Sequence, residues 1–380
     1  MRTKKRKEEI KEMKLMKLLL VIMAAAVVTL ALGGNALAFH GGGVAYCAGC
    51  HTMHNSQDGE KRTDTPGGAL LLQADASSAC LRCHADYGQL TNDGTGYGAG
   101  GDYYWIKRTW TWTITRGTRT ITNNSYGYEH GHNIIAADFG LPTGDPKLDV
   151  APGGSFDSSN LSCASCHDPH GKGDAPLILR NNASYADGTA IFPKGPVMAT
   201  LSRTTTPGNG GYETDDNHVA YGSGMSAWCA ACHWTFDDEL SYMHPTDETL
   251  GTTIANNYNK YISTGNTGGG IDKTGKYLAL VPFETGATDV ANLDTSSTDG
   301  PDSVSKVACI SCHRAHATAF QDAGRWDFAA EFLDESHPDG GATDNSTAAE
   351  KTHSYYGRDI ATDFTTEQRS LCNKCHIQDS

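Results

Sequence analysis

Twelve cysteines occur in the chain, and all twelve fall into six copies of one five-residue pattern. The copies are CAGCH (Cys47, Cys50, His51), CLRCH (Cys80, Cys83, His84), CASCH (Cys163, Cys166, His167), CAACH (Cys229, Cys232, His233), CISCH (Cys309, Cys312, His313) and CNKCH (Cys372, Cys375, His376). CxxCH is the attachment signature of c-type haem. Two thiols at this spacing reach the two vinyl groups along one edge of the macrocycle. The histidine that follows then lies under the iron as its proximal ligand. Disulfides suit an exported protein, but they require no histidine after every second cysteine. Zinc sites pair two CxxC halves and seldom put His directly after each. A thioredoxin-like pair would occur once, near a βαβ pattern. Six covalently bound haem c groups are the expectation.

Sixteen histidines are present. Outside the six motifs stand His40, His54, His130, His132, His170, His218, His244, His316, His337 and His353. Six closed irons need six distal ligands. Beyond residue 38 the only methionines are Met53, Met198, Met225 and Met243, so bis-histidine ligation is the economical reading. Met/His ligation raises a haem's potential; bis-histidine haems sit lower and leave no position for substrate.

Motifs one, three and five extend to CxxCHxxH, as CAGCHTMH, CASCHDPH and CISCHRAH. His54, His170 and His316 lie too close to His51, His167 and His313 to cross to the far face of the same macrocycle. As ligands they must serve another haem's iron, which brings neighbouring cofactors close. His40, the adjacent pair His130 and His132, and His244 before Pro245 are further candidates. His218, His337 and His353 read as surface or hydrogen-bonding residues.

The elements that must position these groups are sparse. Residues 1–17 are basic, an apolar run covers Leu18–Leu32, and a small-residue site ends at Ala38. That order predicts a secretory signal peptide over 1–38; the run is short for a membrane span. Met13 or Met16 would be a more ordinary start than Met1. No cysteine precedes Cys47 to carry a lipid, so no membrane anchor is expected and the product is exported. The leader holds eight Lys/Arg against three Asp/Glu, so its removal takes the formal charge from −14 to −19. An acidic surface argues against nucleic acid. With 38 % hydrophobic residues and 43 glycines, the chain builds a meagre core. The haems, as large apolar plates, must supply the rest.

Motif starts are separated by 33, 83, 66, 80 and 63 residues, so no regular repeat underlies them, and the first two haems should be neighbours. Stretches such as TNDGTGYGAGGD (Thr91–Asp102) and TGNTGGGIDKTG (Thr264–Gly275) read as loops. From Arg108, RTWTWTITRGTRTITNN alternates Trp/Ile with Thr about a turn at Arg116-Gly117, which predicts a hairpin. Short helices are expected over Thr253–Ile262, over Trp326–Leu333, and from a Thr365/Gln368 capping pattern into motif six. The fold class is thus a multihaem c-type cytochrome: mostly loop, with short α-helices, a small β-hairpin and haems forming the core. Residues 39–380 read as one hexahaem domain.

The chain resembles the hexahaem outer-surface cytochromes of the OmcS type, which polymerise into nanowires in metal-reducing bacteria. The resemblance runs from FHGGGVAYCAGCHTMHNS through GHNIIAADF, CASCHDPHGK, VAYGSGMSAWCAACH, MHPT, PFETG and CISCHRAHATAF to YYGRDIATDFTTEQRSLCNKCH. It implies distal ligands at His40, His54, His132, His170, His244 and His316, choosing His132 over His130. It implies that His54 ligates the fifth-motif haem of a neighbouring subunit, giving a head-to-tail filament. It also implies a continuous stack of parallel and T-shaped haem pairs. The function expected is extracellular electron transfer to minerals or partner cells, with redox partners as donor and acceptor. The alternative is a monomeric periplasmic or cell-surface carrier with the same haems. An enzyme would need an open iron, often marked by CxxCK, and the sequence has no such motif.

Overall fold

The structure, a computed structural model, describes residues 47–57, 60–61, 70–84, 99–170, 179, 182–184, 190–193, 198–200, 213–236, 244–246 and 248–377. The expected signal peptide and His40 lie outside these residues. Within them regular structure is short. The longest helices are Gly251–Lys260 and Ala76–His84, and most others are single turns. Four two-stranded antiparallel pairs make up the sheets.

The expected hairpin is there: Trp110–Arg116 pairs with Arg119–Ser125, with Gly117 at φ +64° in the turn. Opposite residues share a face, so Trp110, Trp112 and Ile114 line one side and Thr111, Thr113 and Thr115 the other. Trp110 is fully buried and donates its indole N–H to Ala319 O (3.1 Å); Trp112 stacks on His337. At the hairpin's base Arg108 holds both carboxylate oxygens of Glu350. Tyr104 donates its hydroxyl to the same carboxylate.

Helix Gly251–Lys260 covers most of the stretch read as Thr253–Ile262 and buries Ala255, Tyr258 and Asn259. Two other helix expectations need correction. Over Trp326–Leu333 the chain bends instead: Asp327 accepts the N–H of Ala329, a local turn that outcompetes helical bonding. Only Leu333–Glu335 forms a 3-10 turn. Thr365 and Gln368 do not open a helix either. Gln368 is fully buried, donates to Tyr261 Oη (2.7 Å) and accepts from Thr264 N, so tertiary bonding uses what capping would have used.

One apolar cluster draws on residues from Leu81 to Leu371, with Trp105, Trp110, Tyr258, Phe320 and Trp326 at its heart. A second joins Val219, Tyr221, Met225, Trp228, Ala308 and Ile310, with Cys166 and Cys229 packed against it. Cysteines thus line both clusters. Among the described residues no helix is long and apolar enough to cross a membrane.

Candidate haem sites

Each motif is built on a helical turn. Residues three and four apart share a helix face, so a single turn aims both thiols and the imidazole at one plate. In five motifs the histidine's N–H donates to the first cysteine's carbonyl: His51 to Cys47 (2.8 Å), His167 to Cys163 (2.9 Å), His233 to Cys229 (3.1 Å), His313 to Cys309 (3.0 Å) and His376 to Cys372 (2.9 Å). In the second motif, His84 ends helix Ala76–His84. Serines tighten two of these turns: Ser165 Oγ accepts from Ser162 N, and Ser311 Oγ from Ala308 N. All twelve thiols are free of disulfides.

Four motif histidines face a second histidine. His51 faces His170 with ring centroids 6.0 Å apart, His167 faces His316 at 6.1 Å, His233 faces His132 at 5.9 Å and His376 faces His244 at 5.9 Å. These separations exceed close face-to-face contact, which is 3.9 Å for Trp112 on His337 and for His218 on Tyr277. Two imidazoles on one iron would each stand about 2 Å from it through nitrogen, with the centroid about 1 Å further, which makes about 6 Å in all. The residues present therefore fit haem iron with two axial imidazoles. His54 is exposed beside Met53, and His313 meets the edge of Phe328 at 5.5 Å.

The second nitrogen of several rings is fixed by the backbone. Nδ1 of His132 donates to Ala315 O (2.7 Å), of His233 to Pro152 O (2.7 Å), of His313 to Asp322 O (2.7 Å) and of His316 to Gly101 O (3.3 Å). A carbonyl only accepts, so these rings carry hydrogen on Nδ1 and, when neutral, offer the Nε2 lone pair to a metal. Burial, and then the facing imidazole, push His132 and His316 down to about 4. His132 keeps accessible surface, and the protein around its ring, with His233 opposite, disfavours the charged form.

Sequence reasoning did not find the links between motifs. Cys80 lies beside Cys163, and Cys229 beside Cys309, so motif two abuts motif three and motif four abuts motif five. Ser77 Oγ accepts from Cys163 N (3.0 Å) and Ser226 Oγ from Cys309 N (3.1 Å). The signal was available: serine stands three residues before the first cysteine in motifs two and four alone. Motifs one and five also share a backbone frame. Thr52 N donates to Leu70 O and Leu72 N to Cys50 O, just as Arg314 N donates to Ala323 O and Arg325 N to Cys312 O.

The remaining histidines are engaged elsewhere. His130 is buried between Ser125 Oγ (2.9 Å) and Trp105 O (3.0 Å). His218, expected as a surface or hydrogen-bonding residue, is buried, bonds Val219 O and Ser297 O, and stacks on Tyr277. His337 bonds Asp344 (2.9 Å). His353 is half-buried on helix Ala348–Ser354.

No family model matches the chain. Among curated proteins it is similar to the C-type cytochrome OmcS of Geobacter sulfurreducens, 36 % identical over 96 % of this chain and 99 % of that one. Two solved structures are similar to it, each at 32 % identity. A cryo-EM structure of OmcS nanowires from that organism has a TM-score of 0.69, covering 89 % of this chain and 99 % of the other. An Outer Membrane Cytochrome S filament, also from Geobacter sulfurreducens, has a TM-score of 0.72, covering 88 % and 99 %. The helical-turn CxxCH motifs, the mostly irregular fold and a match over nearly the whole length agree: the chain belongs to the OmcS family of c-type cytochromes.

Proposed function

We propose that the chain is the subunit of an extracellular filament that moves electrons along six covalently bound bis-histidine haems. Its solved relatives are nanowires and a filament. The proximal ligands are His51, His84, His167, His233, His313 and His376, each beside its own cysteine pair. The distal ligands are His170 for the first haem, His316 for the third, His132 for the fourth and His244 for the sixth, following the four ring pairs. His40 serves the second haem, and His54 serves the fifth haem of a neighbouring subunit. Two imidazoles would then hold every iron, which suits electron transfer and would leave no site for substrate. The haem supplies the redox chemistry; the chain orients it, closes its iron and keeps water from it.

The observation that carries the polymer is a regular step between odd-numbered motifs. His170, from motif three, faces His51 of motif one; His316, from motif five, faces His167 of motif three. Each second histidine reaches back by one odd motif. His54 belongs to motif one, so the same step leads to the fifth motif of another copy. The shared backbone frame of motifs one and five supports this, because it gives His54 and His316 equivalent starting points. A bond from the front of one copy to the back of the next is heterologous, and without closure it propagates as a filament.

Substituting His54→Ala tests this reading. Electron micrographs of the secreted fraction should lose filaments while the chain keeps its haem complement. Filaments of normal length from that variant would overturn the reading.

A further inference from the structure

None of the haem sites uses the hairpin between Trp110 and Ser125. Its root is fastened to the body. Trp110 and Ser125 are buried, Trp110 donates to Ala319 O, and Asn345 Oδ1 accepts from Thr111 N (3.0 Å). Past Trp112 the ribbon stands free, and residues 113–120 are all exposed. Among the described residues, hydrogen bonds there run only from one strand to the other, the hydroxyls of Thr115 and Thr120 included. Four further residues at about 3.4 Å each carry the strand about 14 Å past Trp112. A lone two-stranded ribbon is marginally stable in water, and its open edges invite a partner.

The chemistry of the free end is one-sided. On one face Ile114 stands opposite Ile121, and Arg116 then stands opposite Arg119. Ile114 is 40 % exposed. Like charges directly across a ribbon are unfavourable unless an anion lies against both. Among the described residues neither arginine is ion-paired. The whole stretch 103–128 holds Lys107, Arg108, Arg116 and Arg119 and not one Asp or Glu. Lys107 is taken by Phe139 O and Arg108 by Glu350, so the two charges at the tip are left for something outside. An apolar pair beside paired cations fits a protein surface carrying carboxylates better than a polyanion of uniform charge.

Two observations single out a second copy of this chain. The chain has 44 Asp and Glu against 30 Lys and Arg, so a facing copy presents the opposite sign. The root of the hairpin also rests on the segment that follows motif five. Ala319 accepts from Trp110, Thr318 N donates to His130 O, and Gln321 donates to Glu129 (2.8 Å). The adjoining Asp322 O accepts from His313 Nδ1. The ribbon is thus rooted beside the haem site at which His54 of the next copy is to arrive. We propose that the free end of the hairpin lies against the acidic surface of that next copy. Ile114 and Ile121 cover apolar side chains there, and Arg116 and Arg119 pair with its carboxylates. The inference rests on the filament reading and adds to the His54 bond a second contact that involves no metal.

Photo-cross-linking of the haem-loaded secreted protein tests the contact. With p-benzoylphenylalanine in place of Ile114, ultraviolet light should join two copies, giving a dimer band on a denaturing gel. The same probe combined with His54→Ala, where filaments should be lost, should give no dimer. Arg116→Glu with Arg119→Glu should keep the haem complement yet shorten filaments several-fold in micrographs, because like charges then face each other. Arg116→Lys with Arg119→Lys should keep normal length. Intact filaments whose probe links only within one copy, or to an extracellular polyanion, would overturn this contact and leave the polymer reading standing. So would unaltered filament length in the Arg116→Glu, Arg119→Glu variant. Failure of the wild-type chain to form filaments at all would instead remove the polymer reading and this contact with it.

Discussion

His316 is held in its proposed role from three sides. Its Nδ1 donates to Gly101 O, Tyr103 stacks on it at 4.9 Å, and His167 stands opposite. Removing this ring by His316→Ala should open a single iron while the other five remain closed. Carbon monoxide should then bind about one haem in six of the reduced protein, a fraction read from the absorbance change. Binding at none, or at most of them, would contradict the assignment. The choice between His130 and His132 was not legible from residue types, because two histidines separated by one glycine look alike. What separates them is tertiary. Gly131 lies against the His316 backbone, where an added Cβ would meet His316 O at 2.3 Å. His132 N donates to that same oxygen and Thr318 N donates to His130 O. Residues two apart on an extended segment share a side, so it is the helical backbone of His130 (φ −83°, ψ −4°) followed by Gly131 that breaks the alternation and sends His130 into the core and His132 toward His233. The local geometry of the motif histidines, by contrast, was readable, because one helical turn sets each beside its cysteine pair.

At the scale of elements, the hairpin from Trp110 to Ser125 was legible because alternation of large apolar and Thr residues states its period directly. The helix expected over Trp326–Leu333 was not, because apolar spacing carries no record of the Asp327 turn that replaces helical bonds there. The hairpin's anchorage was equally hidden, since Arg108 and Glu350 lie far apart in sequence and meet only on folding. Burial alone would raise the Glu350 carboxyl; hydrogen bonds from Arg108 and Tyr104 outweigh it and hold the group below its ordinary value. A carboxylate depressed in the folded state contributes stability above its unfolded pKa and loses it as pH falls through the folded value. Glu350→Gln should therefore destabilise the chain by about 1–3 kcal/mol at neutral pH, discounted because Arg108 is partly exposed. The difference from wild type should shrink in acid below the carboxylate range. Denaturant melts of haem-loaded protein at neutral and acid pH would check this, and a deficit that grows in acid would count against the pairing.

At the scale of the whole molecule, the same economy explains both the thin core and the polymer. Helical turns carrying CxxCH are tied to each other by serine contacts, motif two to three and motif four to five, rather than by broad layers. We propose that residues 39–380 form one haem-threaded unit on this basis, with the plates completing an interior that side chains leave meagre. The number of motifs sets the expectation of six haems in the sequence, but which histidines face one another needed the fold. The proposed ligand order would also give the filament a direction. A His54→Ala subunit lacks the donor at its front but keeps the fifth-motif haem at its back. It can therefore accept a wild-type neighbour on one side and offer none on the other. Mixed with wild type during assembly, it should act as a chain terminator, so mean filament length in micrographs should fall steadily as its fraction rises. A symmetric contact between equivalent patches predicts something else, because there a damaged copy weakens every pairing it enters without marking an end. If small fractions of the variant were built into filaments internally, with length unchanged, the front-to-back coordination bond would not be what sustains the polymer.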